Sequence, residues 1–353
     1  MNIVKDICTN SGKSFKIRKA CWKRLNGGKI TMNLNLIDRL DPELVEPVKM
    51  MLSQPMGINL ENLPAIRASS QKMQALLKSQ MPEIKGVLTE DRKIPGDRVK
   101  REVSVRIYTP EKKSGLLPGL IWIHGGGYIL GSAEQDDPLV KQLSLQANCI
   151  TVSVDYCLAP ENPYPDPLED CYSALKWLAS QAEKIGVNPA RIAVGGASAG
   201  GGLAAGLALL ARDRAEVKIS FQLLIYPMLD DRNTKNSGKQ RDALFWDLSN
   251  NYTGWKAYLG CEPGSEKIEC YASPARAEKL AGLPPAYITV GDLDLFALED
   301  IDYAARLISA GVSCELHVYP GAPHAFDMMA PAADITRRFR EDIFRALKRA
   351  LHS

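Results

Sequence analysis

From Arg101 onward the chain alternates between two hydrophobic rhythms. Val103-Ser-Val-Arg-Ile-Tyr108 changes polarity at nearly every residue, the period of a strand with one buried face. Gly119-Leu-Ile-Trp-Ile123 is a continuous apolar run, as expected of a strand covered on both faces. Cys149–Val154, Arg191–Val194, Phe221–Tyr226, Ala286–Val290 and Glu315–Tyr319 repeat one pattern or the other. Between them Leu168–Ala182, a segment opening at Ala199, and Ala297–Ala310 read as helices. This alternation predicts an α/β fold with a mostly parallel central sheet and helices on both faces.

Two regions break the rhythm. Residues 36–88 carry short amphipathic helices punctuated by proline, as in Asp41-Pro42-Glu43-Leu44-Val45 and in Arg67–Lys78. Residues 230–277 mix charges, aromatics and helix formers with no buried-strand run, which marks an insertion. An insertion after a strand of such a sheet lies above the strand ends, where open α/β folds bind ligands. The expected organisation is a basic N-terminal extension at 1–31, an N-terminal helical cap region at 32–90, a core divided between 91–229 and 278–353, and a cap insertion at 230–277.

Composition narrows the function classes. At 45% hydrophobic and 24% charged, 353 residues can bury a sizeable core. A net charge of +3 with both signs scattered gives no concentrated field for a polyanion, so nucleic acid is not an expected partner. The basic cluster Lys13, Lys16, Arg18, Lys19, Lys23 and Arg24 reads as a solvated or disordered face. No run approaches the roughly 20 apolar residues of a membrane helix, and residues 1–31 lack the apolar stretch of a secretory signal. The expectation is a soluble, cytoplasmic protein without stable membrane insertion. The eight cysteines (Cys8, Cys21, Cys149, Cys157, Cys171, Cys261, Cys270, Cys314) show no Cys-x-x-Cys spacing, so neither a disulfide framework nor a metal site is expected. No cofactor is implied.

The chemistry gathers at strand ends. Gly195-Gly-Ala-Ser198-Ala-Gly-Gly-Gly202 follows a strand and opens a helix, the strand-turn-helix setting in which Gly-x-Ser-x-Gly presents a nucleophilic serine. Small flanking residues let the Ser198 hydroxyl project, and the helix N-terminus offers the Ala199 amide. His124-Gly-Gly-Gly127-Tyr128 follows another buried strand, and its glycines Gly125, Gly126 and Gly127 can present amides to an oxyanion.

A serine hydroxyl needs a base, and the chain has four histidines. In this fold the order is serine, acid, histidine, which excludes His124. His352 is next to last and expected to fray, while His317 lies inside an apparent strand as a structural histidine. His324, in the loop after that strand, remains as the base. For the acid, Asp292 and Asp294 both follow the strand Ala286–Val290, with Asp230 and Asp231 as a weaker option.

Taken together, His124-Gly-Gly-Gly-Tyr128, Asp155-Tyr-Cys-Leu-Ala-Pro-Glu161, the Ser198 turn, Leu283-Pro-Pro-Ala286, Asp294 and His324-Ala-Phe326 resemble the hormone-sensitive-lipase-like (family IV) esterases of the α/β-hydrolase fold. The match runs from about Leu36 to the C-terminus. The resemblance implies Ser198 as nucleophile, Asp294 as acid, His324 as base, an oxyanion hole from Gly125, Gly126, Gly127 and Ala199, and a helical cap. It implies a small-molecule ester with an acyl chain of short to medium length, and allows a homodimer. Tyr128 and the insertion aromatics Phe245, Trp246, Tyr252 and Trp255 are candidates for substrate contact, with packing of the lid as the competing role of the insertion aromatics. Cys157 stands where arginine is common in the family, which weakens an expected ion pair, and Leu295-Phe296 replaces the usual Pro-Leu.

Other readings compete. An amidase or deacetylase would use the same triad and oxyanion hole. A non-catalytic small-molecule-binding homologue would be expected to have lost its base, which His324 argues against. Gly200-Gly-Gly202-Leu-Ala-Ala205 loosely matches a dinucleotide fingerprint but begins inside a helix.

Overall fold

The computed structural model of the chain describes residues 34–53, 57–80, 83–234 and 243–353. The expected extension at 1–31 lies outside these residues, as does the stretch 235–242 of the expected insertion.

Eight strands form one sheet: β1 (Val87–Pro95), β2 (Glu102–Pro110), β3 (Leu117–Ile123), β4 (Ile150–Asp155), β5 (Val187–Ala197), β6 (Phe221–Ile225), β7 (Ala286–Gly291) and β8 (Cys314–Tyr319). Their spatial order is β1-β2-β4-β3-β5-β6-β7-β8. β2 runs antiparallel to β1 and β4, and every pairing from β4 through β8 is parallel. Helices α1 (Leu34–Ile37), α2 (Val45–Leu52) and α3 (Leu63–Gln80) precede the sheet. α4 (Asp137–Gln146), α5 (Asp166–Ile185), α6 (Ala199–Arg214), α7 (Leu248–Leu259), α8 (Ala297–Ser309), α9 (Phe326–Met329) and α10 (Asp334–His352) alternate with it.

The continuous apolar run of β3 is buried at all seven residues because both its faces are covered. Ile121 and Ile123 face a core built with Leu175 and Leu178 of α5 and Leu203 and Leu207 of α6. Leu120 and Trp122, one residue out of phase, face a second core with Val140 and Leu143 of α4 and Phe339 and Ile343 of α10. The sheet is thus sandwiched by α5, α6 and α8 on one side and α4 and α10 on the other. α5 shows the local signals that start and stop such a helix, with Pro167 in its first turn and Gly186 closing it at φ 87°.

Several elements, β1, α4, α9 and α10 among them, were not among those expected. β1 begins at Val87, before the boundary expected at residue 91, and it is a polar edge strand exposed along most of its length, so no apolar run marks it. α10 is densely charged, yet Ile335, Phe339, Ile343, Leu347 and Leu351 form a buried stripe four residues apart. His352 does not fray: it ends α10 with Nε2 2.7 Å from the Ala147 carbonyl oxygen.

Candidate active site

Ser198 sits between β5 and α6 at φ 55°, ψ −122°, a conformation that costs a non-glycine residue about 1–3 kcal/mol. The surroundings hold it there. Its N–H donates to Ile225 O at 2.9 Å, and its carbonyl accepts from Gly202 and Met228, each at 3.0 Å. A Cβ at Gly200 would overlap the carbonyl oxygens of Ile123 and His124, so this close approach of α6 to the end of β3 requires glycine.

Three loops at the C-terminal edge of the sheet converge. His324, between β8 and α9, places Nε2 3.0 Å from Ser198 Oγ and Nδ1 2.7 Å from Asp294 Oδ2. Asp294 lies in the turn between β7 and α8, where its other oxygen accepts from the Phe296 N–H at 2.9 Å. All three side chains are buried. Phe296 and Tyr226 meet the His324 ring edge-on, with centroids at 5.1 and 4.8 Å. Tyr226 is anchored in turn by its hydroxyl donating to Asp327 Oδ1 at 3.0 Å. Burial pushes the Asp327 carboxyl above its ordinary range.

The competing acids are placed elsewhere. Asp292 accepts from the Gly321 N–H at 2.7 Å and pairs with Arg39 at 3.2 Å. Asp231 is buried in an ion pair with Arg276, and Asp230 pairs with Arg232. His317 is flanked by Glu315 at 3.0 Å and Asp342 at 3.3 Å.

The glycine loop lies against the serine turn, for a Cβ on Gly125 would stand 2.9 Å from Ala197 O. Among the described residues the amides of Gly125, Gly126, Gly127 and Ala199 meet no protein acceptor. His124 braces the loop, with Nδ1 2.8 Å from Gly125 O. Because a carbonyl only accepts, that nitrogen carries the proton and Nε2 is bare. Burial lowers the His124 pKa, consistent with a neutral ring, which stacks on Tyr156 at 4.2 Å.

The aromatic candidates for substrate contact divide. Tyr128 and Trp255 are fully buried and present no open face. Tyr128 stacks on Tyr258 at 4.0 Å and donates to Met228 O, so both belong to the packing beneath the loop. Tyr252 turns its hydroxyl to Glu262 and Lys256 near the surface of α7. Phe245 is half-buried at φ 76°. The aromatic that does touch the glycine loop is Trp246, whose ring occupies the space a Gly127 Cβ would need. Its Nε1 donates to Asn251 at 3.2 Å. No spacing rule singles it out in the sequence, because the contact joins segments more than a hundred residues apart.

A family model described as an alpha/beta hydrolase fold matches residues 120–328. The chain is 34% identical over 321 residues to carboxylesterase NlhH of Mycobacterium tuberculosis, covering 88% of this chain and 97% of that one. It is 34% identical over 259 residues to an arylesterase of Saccharolobus solfataricus, covering 72% and 82%. Among solved structures, a bacterial heroin esterase superposes with a TM-score of 0.84 at 39% identity, covering 90% of this chain and 99% of that one. Esterase LipW from Mycobacterium marinum superposes with a TM-score of 0.81 at 35% identity, covering 90% and 98%. No helix among the described residues is long and apolar enough to cross a membrane.

Proposed function

The chain belongs to the hormone-sensitive-lipase-like family of α/β hydrolases and is a carboxylesterase of that family, and from that premise we propose that it cleaves esters of short to medium acyl chains through Ser198, His324 and Asp294. The observation that carries this reading is the unbroken chain of contacts Asp294 Oδ2, His324 Nδ1, His324 Nε2 and Ser198 Oγ at 2.7 and 3.0 Å.

In the first half-reaction His324 Nε2 takes the Ser198 proton as Oγ attacks the ester carbonyl carbon. Asp294 holds the proton on Nδ1, which keeps Nε2 free to act as base and stabilises the imidazolium that forms. The carbonyl oxygen becomes an oxyanion held by amides drawn from Gly125, Gly126, Gly127 and Ala199, each donor worth roughly 3 kcal/mol at the barrier. Collapse breaks the bond to the alkoxy oxygen, and His324 returns its proton to the departing alcohol. Water, activated by the same nitrogen, then releases the carboxylic acid from the acyl-enzyme and restores Ser198. The helices before β1 and the segment around α7 act as the cap that bounds the acyl chain.

A series of p-nitrophenyl esters from acetate to palmitate, with the matching p-nitroanilides, tests the reading. Turnover is expected to peak between about two and eight acyl carbons and to favour esters. A maximum at sixteen carbons, or faster anilide cleavage, would overturn it.

A further inference from the structure

Among the described residues, Arg67 links the helices that precede the sheet to the segments beside the glycine loop. Arg67, on the first turns of α3, crosses to three acceptors far away in sequence. Its Nε donates to Ile129 O at 2.8 Å, and Nη2 donates to Ala159 O at 2.7 Å. Nη1 and Nη2 also grip both oxygens of Glu161, at 2.7 and 3.0 Å. Ile129 is two residues past Gly127, and the Ala159 N–H donates to Tyr128 O at 3.0 Å, so both carbonyls belong to the loop's immediate support. Leu63, one turn earlier on α3, is buried in the core that also holds Tyr128, Ile129 and Trp246.

The same end of the loop is also packed from α7. A Cβ on Gly254 would stand 2.8 Å from Gly127 O, and Trp246 covers Gly127 itself. The segment leading into α3 is joined to α7, since the Ile58 N–H donates to Asn250 Oδ1 at 3.0 Å and Thr253 Oγ1 donates to Ile58 O at 3.3 Å. The two pieces of the cap are therefore tied to each other and to the C-terminal end of the glycine loop. Arg67 is the tie on the α3 side.

We propose that Arg67 is a positioning residue for substrate specificity, latching α3 to the Ile129 and Ala159 carbonyls so that the N-terminal helices form a fixed wall for the acyl chain. The proposal rests on the ester-hydrolase reading of Ser198. The planar guanidinium suits the task, because only a fork can reach two carbonyls and a carboxylate from one position. The carbonyl bonds matter more than the ion pair: the Glu161 side chain is 57% exposed, where an ionic contact is screened. The glycine loop has its own internal support, with Ile129 and Leu130 N–H both donating to Gly126 O. Loss of Arg67 should thus loosen the wall while leaving the oxyanion amides in place.

If the latched state falls to a tenth of the population, the apparent affinity for a chain that needs the wall falls about tenfold. In Arg67→Ala, KM for p-nitrophenyl hexanoate is expected to rise about tenfold with kcat within about twofold, while KM for the acetate changes little. Hydrogen exchange of the peptide covering residues 63–80 should accelerate. Arg67→Lys should give the same pattern, because an ammonium cannot span the three acceptors, and it carries the test if Arg67→Ala does not fold. Glu161→Gln should stay near the unsubstituted enzyme. An equal fall in kcat on every ester with KM unchanged would overturn the proposal, placing Arg67 with the oxyanion loop, and so would an unaltered KM profile in both Arg67 variants. Absence of turnover by the unsubstituted enzyme would instead strike the Ser198 reading, and the exchange measurement reports on the latch separately.

Discussion

Replacing Asp294 by asparagine changes one oxygen for a nitrogen, and the structure says which way the new amide will face. The Phe296 N–H sits 2.9 Å from Asp294 Oδ1 and needs an acceptor, so the amide oxygen takes that place. The NH2 group then points at His324 Nδ1, 2.7 Å away, and a donor facing Nδ1 forces the ring proton onto Nε2. Nε2–H faces Ser198 Oγ at 3.0 Å and cannot accept its proton. The fold survives while the base is lost. The expected cost is on the order of 10⁴-fold in kcat, about 5.4 kcal/mol at the barrier. Asp292→Asn is the matched control two residues away. Its amide oxygen can still accept from Gly321, and the lost contact with Arg39 joins side chains 47% and 35% exposed. Such a pair contributes about 0–1 kcal/mol to stability, so kcat should stay within about twofold. Steady-state turnover of a p-nitrophenyl ester between pH 5 and 9, with thermal melts of both variants, decides the matter. An Asp294→Asn enzyme within tenfold of the unsubstituted rate, or a larger kcat loss in Asp292→Asn, would refute the tautomer argument.

Ser198→Ala should lower kcat roughly 10⁴- to 10⁶-fold with an unchanged melt, and an organophosphate should modify Ser198 alone when adducts are mapped by mass spectrometry. Trp246→Ala removes a buried ring against Gly127, so it should destabilise by about 3–5 kcal/mol and also lower kcat, both read on purified protein, with Trp246→Phe recovering most of each. Asp300 is fully buried with neither oxygen hydrogen-bonded among the described residues, and burial, helped by Glu299 and Asp294, raises its pKa well above the usual range. The folded state then keeps a proton the unfolded chain releases above about pH 4, so this group makes stability fall as pH rises; Asp300→Asn should gain on the unsubstituted protein in urea melts at pH 8 relative to pH 5, and equal differences at the two pH values would contradict the sign.

The parts of the site that announce themselves in the sequence are those whose chemistry fixes a local spacing. A serine elbow needs small residues on both sides of Ser198 because α6 passes against the Ile123 and His124 carbonyls, and that requirement writes Gly-x-Ser-x-Gly into a few adjacent positions. The buried strands were equally visible, since a strand covered on both faces has no room for a polar side chain. β1 was not, because an edge strand in water can carry almost any sequence. The choice between Asp292 and Asp294 depended on how one turn folds. Spacing left both open, and only the resemblance preferred Asp294. The aromatic candidates in the insertion were named by composition, and composition does not say which face of a helix is buried. α7 turns Trp255 into the core and Tyr252 outward, while Trp246, ahead of the helix, reaches Gly127.

Cys157 shows why a departure from a family pattern cannot be weighed at its own position. The sequence places a thiol where the family commonly has arginine, and the expectation was a weakened ion pair. In the structure the guanidinium arrives from elsewhere. Arg101 Nη2 lies 2.7 Å from Asp170 Oδ2 and 2.6 Å from Cys157 Sγ, and the Cys157 N–H donates to the same carboxylate oxygen at 2.9 Å. Burial, with the Asp170 carboxylate beside it, pushes the Cys157 thiol up to about 12, so it packs there as a neutral group and the positive charge is Arg101's. Asp170 is almost fully buried, so its ionised form is held at low cost only with a cation beside it. That requirement belongs to the carboxylate rather than to any one neighbour in the chain. Arg101 opens the path into β2, 56 residues before Cys157, and nothing in the linear pattern connects the two. The same holds for Arg67 and Glu161, 94 residues apart. Local motifs record the groups that meet the substrate; the charges that hold the surrounding walls are fixed only by where the folded chain brings a counter-charge within reach.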